Sequence, residues 1–291
     1  MIKELKADLS LIGVTALWGA SFPLMSMALK DIPTFSFIAI RYTLSALILA
    51  VVFYKNFKNI SKLTVKSGII IGAVLFFGCA LQVAGLLYTT PSKSGFITGL
   101  NVIFVPIIIA LIYKKLPDAK TVVGIIISII GLSIMSINSD FSINKGDVLT
   151  FVAAILFAVQ VLVVDKYTKD VDIVVLTCVE VLVVGLMGAV PAVAVEKFQF
   201  TLTLPVIGAV LFTAIFSTAI AHSVQNKVQS YIEPTHAAII YLAEPVFGAI
   251  FSMFFGDKLG MRTVAGGICI LLGMLVMNIK KKAQEDITLA Q

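Results

Sequence analysis

Apolar runs long enough to cross a lipid bilayer recur from one end of this 291-residue chain to the other. That repetition leaves very few folds open. A bilayer core takes roughly 20 consecutive apolar residues of helix, and within it every backbone polar group must be satisfied inside its own segment. Ten such runs can be read: Leu9–Leu29, Thr34–Tyr54, Val65–Tyr88, Gly95–Tyr113, Lys120–Ile137, Asp147–Asp165, Ile173–Val195, Leu204–Val224, Thr235–Phe255 and Arg262–Ile279. The eighth is placed to continue helically through the polar segment QNKVQSYIE. The longest breaks, Lys55–Thr64, Asn138–Gly146 and Gln225–Pro234, leave no room for a soluble domain. Charged residues make up 13% of the chain, where a soluble domain has about a quarter. The expected fold class is therefore an all-α polytopic membrane protein with ten transmembrane helices.

The basic residues set the orientation. With the N-terminus in the cytoplasm, 15 of the 22 Lys and Arg fall on the cytoplasmic side, 6 on the other, and Arg41 alone within a span. Short loops rich in Lys and Arg stay inside, so both termini are expected in the cytoplasm of a multi-pass protein of the cell membrane. The +6 net charge is used up by this topology and implies no nucleic acid. Lys280–Lys282 anchor a cytoplasmic tail, 280–291, with attraction to anionic lipid as a secondary effect. Lys3 and Lys6 precede the first run as in a signal peptide, but the run goes on to Leu29 with Trp18 where cleavage would need a small residue. It reads as a retained first span. Cys79, Cys178 and Cys269 all lie within apolar runs and form no disulfide or zinc spacing.

The chain also repeats itself. One displacement lays Asp8 on Asp147, Lys30-Asp31 on Lys169-Asp170, Arg41 on Glu180 and Pro106 on Pro245. A slightly shorter one matches Gly72–Phe76 with Gly208–Phe212, and a slightly longer one matches Thr121–Gly124 with Thr263–Gly266. Two units follow, 8–137 and 147–279, each with five spans. An odd number inserts the second unit upside down, the inverted repeat on which many secondary transporters are built, with a site between the halves.

Polar residues inside apolar runs are the candidates for that site. Glu244, beside Pro245 in the middle of the ninth run, costs roughly 3 kcal/mol or more to insert, so it is expected to face a bundle interior or a wet cavity. It is either the carboxyl of a functional site or a neutralised group at a structural kink. Pro245 and its counterpart Pro106 remove a backbone donor and predict helix bends. Tyr241, Glu244 and Gly248 share one helical face, as do Thr98 and Asn101 on the fourth run. Trp18, with Thr15, Gly19, Phe22 and Ser26 along its side, offers either an aromatic wall for an organic solute or a tight helix contact. Gln82 and Gln160 are cavity residues or interhelical bonds. Arg41 is always charged and needs an anion, carbonyls or water. Glu180 has no basic residue in its own span, and His222, with Thr218 and Gln225 on its face, is able to relay protons. His236 reads as a surface residue. Gly124, Ser128, Gly131, Gly266 and Gly273 form a small-residue stripe, a packing seam within the chain or between protomers.

With Trp18–Phe22 (WGASF) in the first run, Arg41-Tyr42 in the second and Glu244-Pro245 in the ninth, the chain resembles the drug/metabolite transporter superfamily, and within it the ten-helix EamA-type exporters. The similarity runs from Asp8 to Ile279. It implies two inverted five-helix halves around a central cavity, alternating access, and export of amino acids, metabolites or drugs. Two positions depart from the family pattern: Phe157-Ala158 stands where the first half has Trp18-Gly19, and Asp257 where many relatives carry Glu.

The partners this reading calls for are a small-molecule substrate, the lipid bilayer and protons at Glu244, assisted by Glu180 or His222. It calls for no cofactor and no metal, and it leaves the oligomeric state open. Uptake, or a passive channel or facilitator, uses the same residues. A membrane enzyme is disfavoured: there is no HExxH, no paired-aspartate motif, and Gly19-Ala20-Ser21 is followed by Phe22 where an intramembrane serine protease has glycine. Without GxxxxGK[ST], the chain has no ATP site of that kind.

Overall fold

The computed structural model describes residues 2–58, 60–114, 116–136, 144–256 and 260–278. Lys115, Asp257, Lys258 and the whole 280–291 tail lie outside the described residues. Thirteen α-helical segments follow one another: α1 Ile2–Ala28, α2 Thr34–Val52, α3 Lys62–Gly85, α4 Pro91–Gly99, α5 Asn101–Tyr113, α6 Ala119–Ser136, α7 Lys145–Tyr167, α8 Ile173–Ala194, α9 Leu204–Ala214, α10 Ala221–Gln229, α11 Pro234–Tyr241, α12 Ala243–Ser252 and α13 Met261–Asn278. Among the described residues there is no strand. Eight stretches are long and apolar enough to cross a membrane, those of α4–α5, α9–α10 and α11–α12 each counting as one. Shorter apolar helices, Ala119–Gly131 and Val264–Gly273, lie within α6 and α13.

The distribution of side chains is inverted with respect to a soluble domain. Leu111, Val190, Leu204, Phe254 and Met261 are exposed on the outside, while Arg41, Gln82, Gln160, Glu180, His222, Gln225, Asn226 and Glu244 are buried. An apolar exterior is what lipid requires. It also removes the hydrophobic drive for one helix to seek another, so small residues and close backbone approach must hold the bundle together. Gly185 and Gly188 of α8 sit against Thr43 and Ala39 of α2, and Gly68 and Gly72 of α3 against Val179 and the Glu180 carbonyl of α8.

Polar caps fix the ends of α2 and α8. The Glu196 carboxylate, just past α8, accepts from the Phe35 amide (2.9 Å), the Ser36 amide (2.7 Å) and the Ser36 hydroxyl (2.7 Å). It supplies the N-terminal cap that Pro33 cannot provide for α2. At the opposite end Asn56 donates to Asp172 (3.0 Å), which itself caps α8. The two helices therefore run antiparallel.

The small-residue stripe is an intramolecular seam: α6 packs along α13. A Cβ at Gly131 would stand 2.7 Å from the Gly266 carbonyl, and one at Gly273 would stand 2.7 Å from the Gly124 carbonyl and would also meet the Ser128 hydroxyl. Gly267, on the same helix, has its nearest neighbour 3.8 Å from such a Cβ. Gly273→Ala is accordingly expected to destabilise by about 1–3 kcal/mol through overpacking, and Gly267→Ala by nothing measurable. Thermal denaturation of the two detergent-solubilised variants, followed by size-exclusion chromatography, checks this; equal melting would dissolve the seam.

Three of the membrane-length stretches are interrupted. Leu100 (φ −62°, ψ −11°) separates α4 from α5, and Leu242 (φ −61°, ψ −16°) separates α11 from α12. The two breaks have almost the same backbone conformation. A helix break stands beside Pro245, which withholds an amide from the carbonyl of Tyr241, the last residue of α11. Pro106 is placed differently with respect to its break. That residue lies inside α5, and the break comes earlier, after Gly99, a residue that weakens a helix. The third interruption is a π-helical turn, Ile215–Ile220, between α9 and α10. The helix then runs on to Gln229, into the polar segment expected to continue it, but ends there, before Ser230–Glu233.

Candidate functional site

Buried polar side chains from nine of the helices converge on one central cavity, whose empty volume of about 640 Å3 includes space open to solvent. Trp18, Ser21, Phe22 and Met25, at helical spacing on α1, form one wall; Arg41 and Tyr42 enter from α2, and Cys79 and Gln82 from α3. The interrupted stretches contribute from either side of their breaks. Thr98 and Asn101 flank Leu100, and Tyr241 and Glu244 flank Leu242. Phe157 and Gln160 of α7 and His222 and Gln225 of α10 complete the lining.

Arg41 is 6% exposed, and its guanidinium is held without a carboxylate partner among the described residues. Nε donates to the Thr218 hydroxyl (2.7 Å), one terminal nitrogen to Met25 Sδ (3.2 Å) and the other to the Ser217 carbonyl (3.5 Å). It also lies over the Tyr42 ring, 5.0 Å from its centroid. Both Ser217 and Thr218 belong to the π turn. The Ser217 carbonyl takes a second bond from Trp18 Nε1 (3.1 Å), and the Ser217 hydroxyl donates to the Leu17 carbonyl (2.9 Å). A π turn frees carbonyls from the helical ladder, and here the freed groups orient the tryptophan and the guanidinium.

Trp18 realises both readings of its face. Its ring stands 5.3 Å from that of Tyr241 and 5.8 Å from that of His222, an aromatic wall. Gly19, beside it, is the tight contact: a Cβ there would be 2.7 Å from Gly248 N and 2.8 Å from the Glu244 carbonyl.

The amides form a partly satisfied ring. Gln82 Nε2 donates to the Thr98 hydroxyl (2.9 Å), Gln225 Nε2 to Gln160 Oε1 (3.3 Å), and the Tyr241 hydroxyl to Gln229 Oε1 (3.1 Å). Asn101 Oδ1, Gln160 Nε2 and Gln225 Oε1 have no protein partner, and such buried groups call for water or a ligand. Glu244 is 8% exposed on the cavity wall, and among the described residues no hydrogen bond or ion pair holds its carboxylate.

Glu180 is placed differently from the other predicted residues. It is fully buried and lies behind the wall, where Asn226 Nδ2 donates to its Oε2 and His222 Nδ1 stands 3.5 Å from its Oε1. The imidazole thus separates the cavity from this second carboxylate. Eight predicted residues, Glu244, Tyr241, Trp18, Asn101, Gln82, Gln160, His222 and Arg41, line the cavity itself, while Pro106 and Pro245 do not. Among the described residues no three His, Cys, Asp or Glu side chains converge as metal ligands would.

A family model for EamA-like transporters matches residues 5–137 and again 144–279. The chain belongs to the EamA-like transporter family. A protein of Archaeoglobus fulgidus described as an uncharacterized transporter is 31% identical over 280 residues, covering 96% of this chain and 88% of its own. The uncharacterized transporter YyaM of Bacillus subtilis is 26% identical over 95% of both chains. A solved crystal structure superposes with a TM-score of 0.76 at 15% identity, over 94% of this chain and 96% of that one, so the fold is shared. The resemblance carried by WGASF, Arg41-Tyr42 and Glu244-Pro245 is that of the family, and membership makes the chain a membrane transporter of EamA type.

In this EamA-type chain several residues on or behind the cavity wall escape sequence reasoning. Cys79 reads as packing, yet its sulfur lies 3.0 Å from the Tyr42 hydroxyl on the cavity. Asn226 and Gln229 fall in what reads as a polar extension, and only their periodicity with His222 and Gln225 gives them away. Ser217 acts through a π turn, which has no sequence period of its own.

Proposed function

We propose that this protein is a secondary carrier that moves a small organic solute, an amino acid, metabolite or drug, out of the cell by alternating access to the central cavity. Ten membrane crossings arranged as two inverted halves, 8–137 and 147–279, with both termini cytoplasmic, are part of this reading. The observation that carries it is a central cavity into which buried polar side chains converge inside an otherwise apolar bundle, walled by both halves and by residues flanking two helix breaks. Aromatic rings accept the body of an organic solute, unpartnered amides replace its water, and Arg41 and Glu244 meet its ionisable ends. Glu244 is the proton-exchanging carboxyl, with His222 and Glu180 assisting. The gradients set the direction of transport.

Flux into proteoliposomes tests it, with labelled amino acids and small amphiphiles and with or without an imposed pH gradient. Saturable flux accelerated by the gradient is expected. Saturable exchange indifferent to it would remove the proton from the mechanism, and non-saturable leak would make the chain a passive facilitator.

Trp18→Ala is expected to raise the half-saturating solute concentration by about fivefold or more, since it removes one wall and a hydrogen bond worth about 1 kcal/mol. Concentration-dependent flux of the purified variant measures this. Unchanged affinity with reduced yield of folded protein would leave Trp18 a packing residue only.

A further inference from the structure

His236 reads from the sequence as a surface residue, and Lys93 as a loop cation. In the structure each makes a link between the two halves. The His236 ring nitrogen lies 2.8 Å from Asp8 Oδ1, and Lys93 Nζ lies 2.6 Å from Asp147 Oδ2. Asp8 and Asp147 are repeat mates, each near the start of the first helix of its half. The basic partners correspond as well. Lys93 is the third residue of α4 in Pro91-Ser92-Lys93, and His236 the third residue of α11 in Pro234-Thr235-His236. One motif is thus built twice, each time from an aspartate of one half and a basic residue of the other.

The two links sit at opposite ends of the bundle. Asp8 lies near the start of α1; Thr203, at the start of α9, donates to Asp31 (3.1 Å), just past the other end of α1. The descent of α9–α10 brings α11 back to the Asp8 end. Lys93 and Asp147 cluster at the far end, where the Thr89 hydroxyl, just past α3, also donates to Asp147 (2.8 Å). The cavity lies between. Moreover, α4 carries Lys93 at one end and Thr98 of the cavity wall at the other, then breaks at Leu100. In the same way α11 carries His236 and Tyr241, then breaks at Leu242. Each is a short rod with a backbone interruption at its inner end, the kind of element that swings as a unit.

We propose that Asp8–His236 and Lys93–Asp147 are the closing contacts of the cavity's two mouths, and that they position α11 and α4 so that one mouth opens while the other stays latched. This rests on the carrier reading. Both links are made in this structure. The Asp8–His236 pair is partly exposed on both sides and adds little to overall stability, which suits a contact that must break in every cycle. The Asp147 latch is the more elaborate: its carboxylate also forms a capping box with Asn144 at the start of α7. Lys93→Met removes that latch and leaves the cap in place.

Cys79, on the cavity wall, reports which mouth is open. A membrane-impermeant maleimide is applied to either face of sealed vesicles containing the full chain, and modification of Cys79 is read by mass spectrometry. Lys93→Met is expected to speed modification about two- to fivefold from the face where Lys93 lies, and His236→Leu to do so from the opposite face. Asp147→Asn and Asp8→Asn are expected to repeat the pattern and guard against a folding defect in either first variant. Faster modification from both faces in one variant, or no change in any, overturns the proposal. Flux measured on the same vesicles separates the two readings. Side-specific modification without saturable flux keeps the latches and rejects the carrier, whereas saturable flux without side-specific modification does the reverse.

Discussion

Glu244→Gln is expected to leave a folded bundle that still exchanges solute but no longer accelerates when a pH gradient is imposed. The carboxylate faces the cavity and is 8% exposed, without a hydrogen bond or ion pair among the described residues. A carboxyl so placed must be solvated by cavity water or by solute, or take up a proton. On the proposed reading, that choice couples a proton to the cavity's contents. Glutamine keeps the shape and one acceptor oxygen, and no structural partner is orphaned, so the stability change should stay within about 1 kcal/mol. Gradient-driven stimulation, by contrast, should fall to about the rate seen without a gradient. Gradient-driven flux in Glu244→Gln equal to that of the unaltered chain would take the proton away from this residue. Glu180→Gln is the informative companion, because the amide oxygen can still accept from Asn226. If Glu180→Gln loses the gradient response and Glu244→Gln retains it, the proton path runs through His222 to the carboxylate behind the wall.

How much of this was legible beforehand depended on contrast. Glu244, Arg41, Trp18 and His222 stand out because a polar or bulky amphipathic residue is expensive inside an apolar run, and all four reach the cavity. The helical class follows from the same contrast, and the family from the resemblance carried by WGASF, Arg41-Tyr42 and Glu244-Pro245. What the sequence does not carry is rotation. A soluble helix announces its inward face by periodic hydrophobicity; a helix apolar all round does not, so nothing distinguished Glu180, behind the wall, from Gln82, on it. The break at Leu100 was hidden because Pro106, which has no backbone N–H to donate, points to a later position in the same run, and the break is set by Gly99 and by packing. The π turn was hidden because inserting one residue's worth of slack changes no side-chain pattern. His236 was hidden because its meaning lies entirely in Asp8, 228 positions away.

Gly19→Ala is expected to damage the protein far more than Gly248→Ala, although the two glycines face each other across the same α1–α12 contact. A Cβ on Gly19 would stand 2.7 Å from Gly248 N, 2.8 Å from the Glu244 carbonyl and 2.8 Å from Phe247 Cβ. All three are backbone or backbone-proximal atoms that cannot rotate away. A Cβ on Gly248 would meet nothing closer than the Gly19 carbonyl at 3.7 Å, an ordinary van der Waals contact. Overpacking a close contact costs about 1–3 kcal/mol, and relief here requires α12 to move bodily away from α1. Gly248→Ala adds a methyl group where there is room and removes a flexible glycine from a helix, a change of about 0.5–1 kcal/mol in the stabilising direction. Size-exclusion melting of the two variants in detergent decides between them, and equal losses would mean that the helices approach less closely than this. The functional consequence follows from which atoms are struck. The Glu244 carbonyl is among them, so Gly19→Ala protein that does fold carries its cavity carboxylate on a displaced helix. Its gradient-driven flux should then be impaired even after correction for yield, while Gly248→Ala transports normally. The small residue beside Trp18 thus sets the depth at which the carboxylate enters the cavity, which ties the packing of the first span to the chemistry of the ninth.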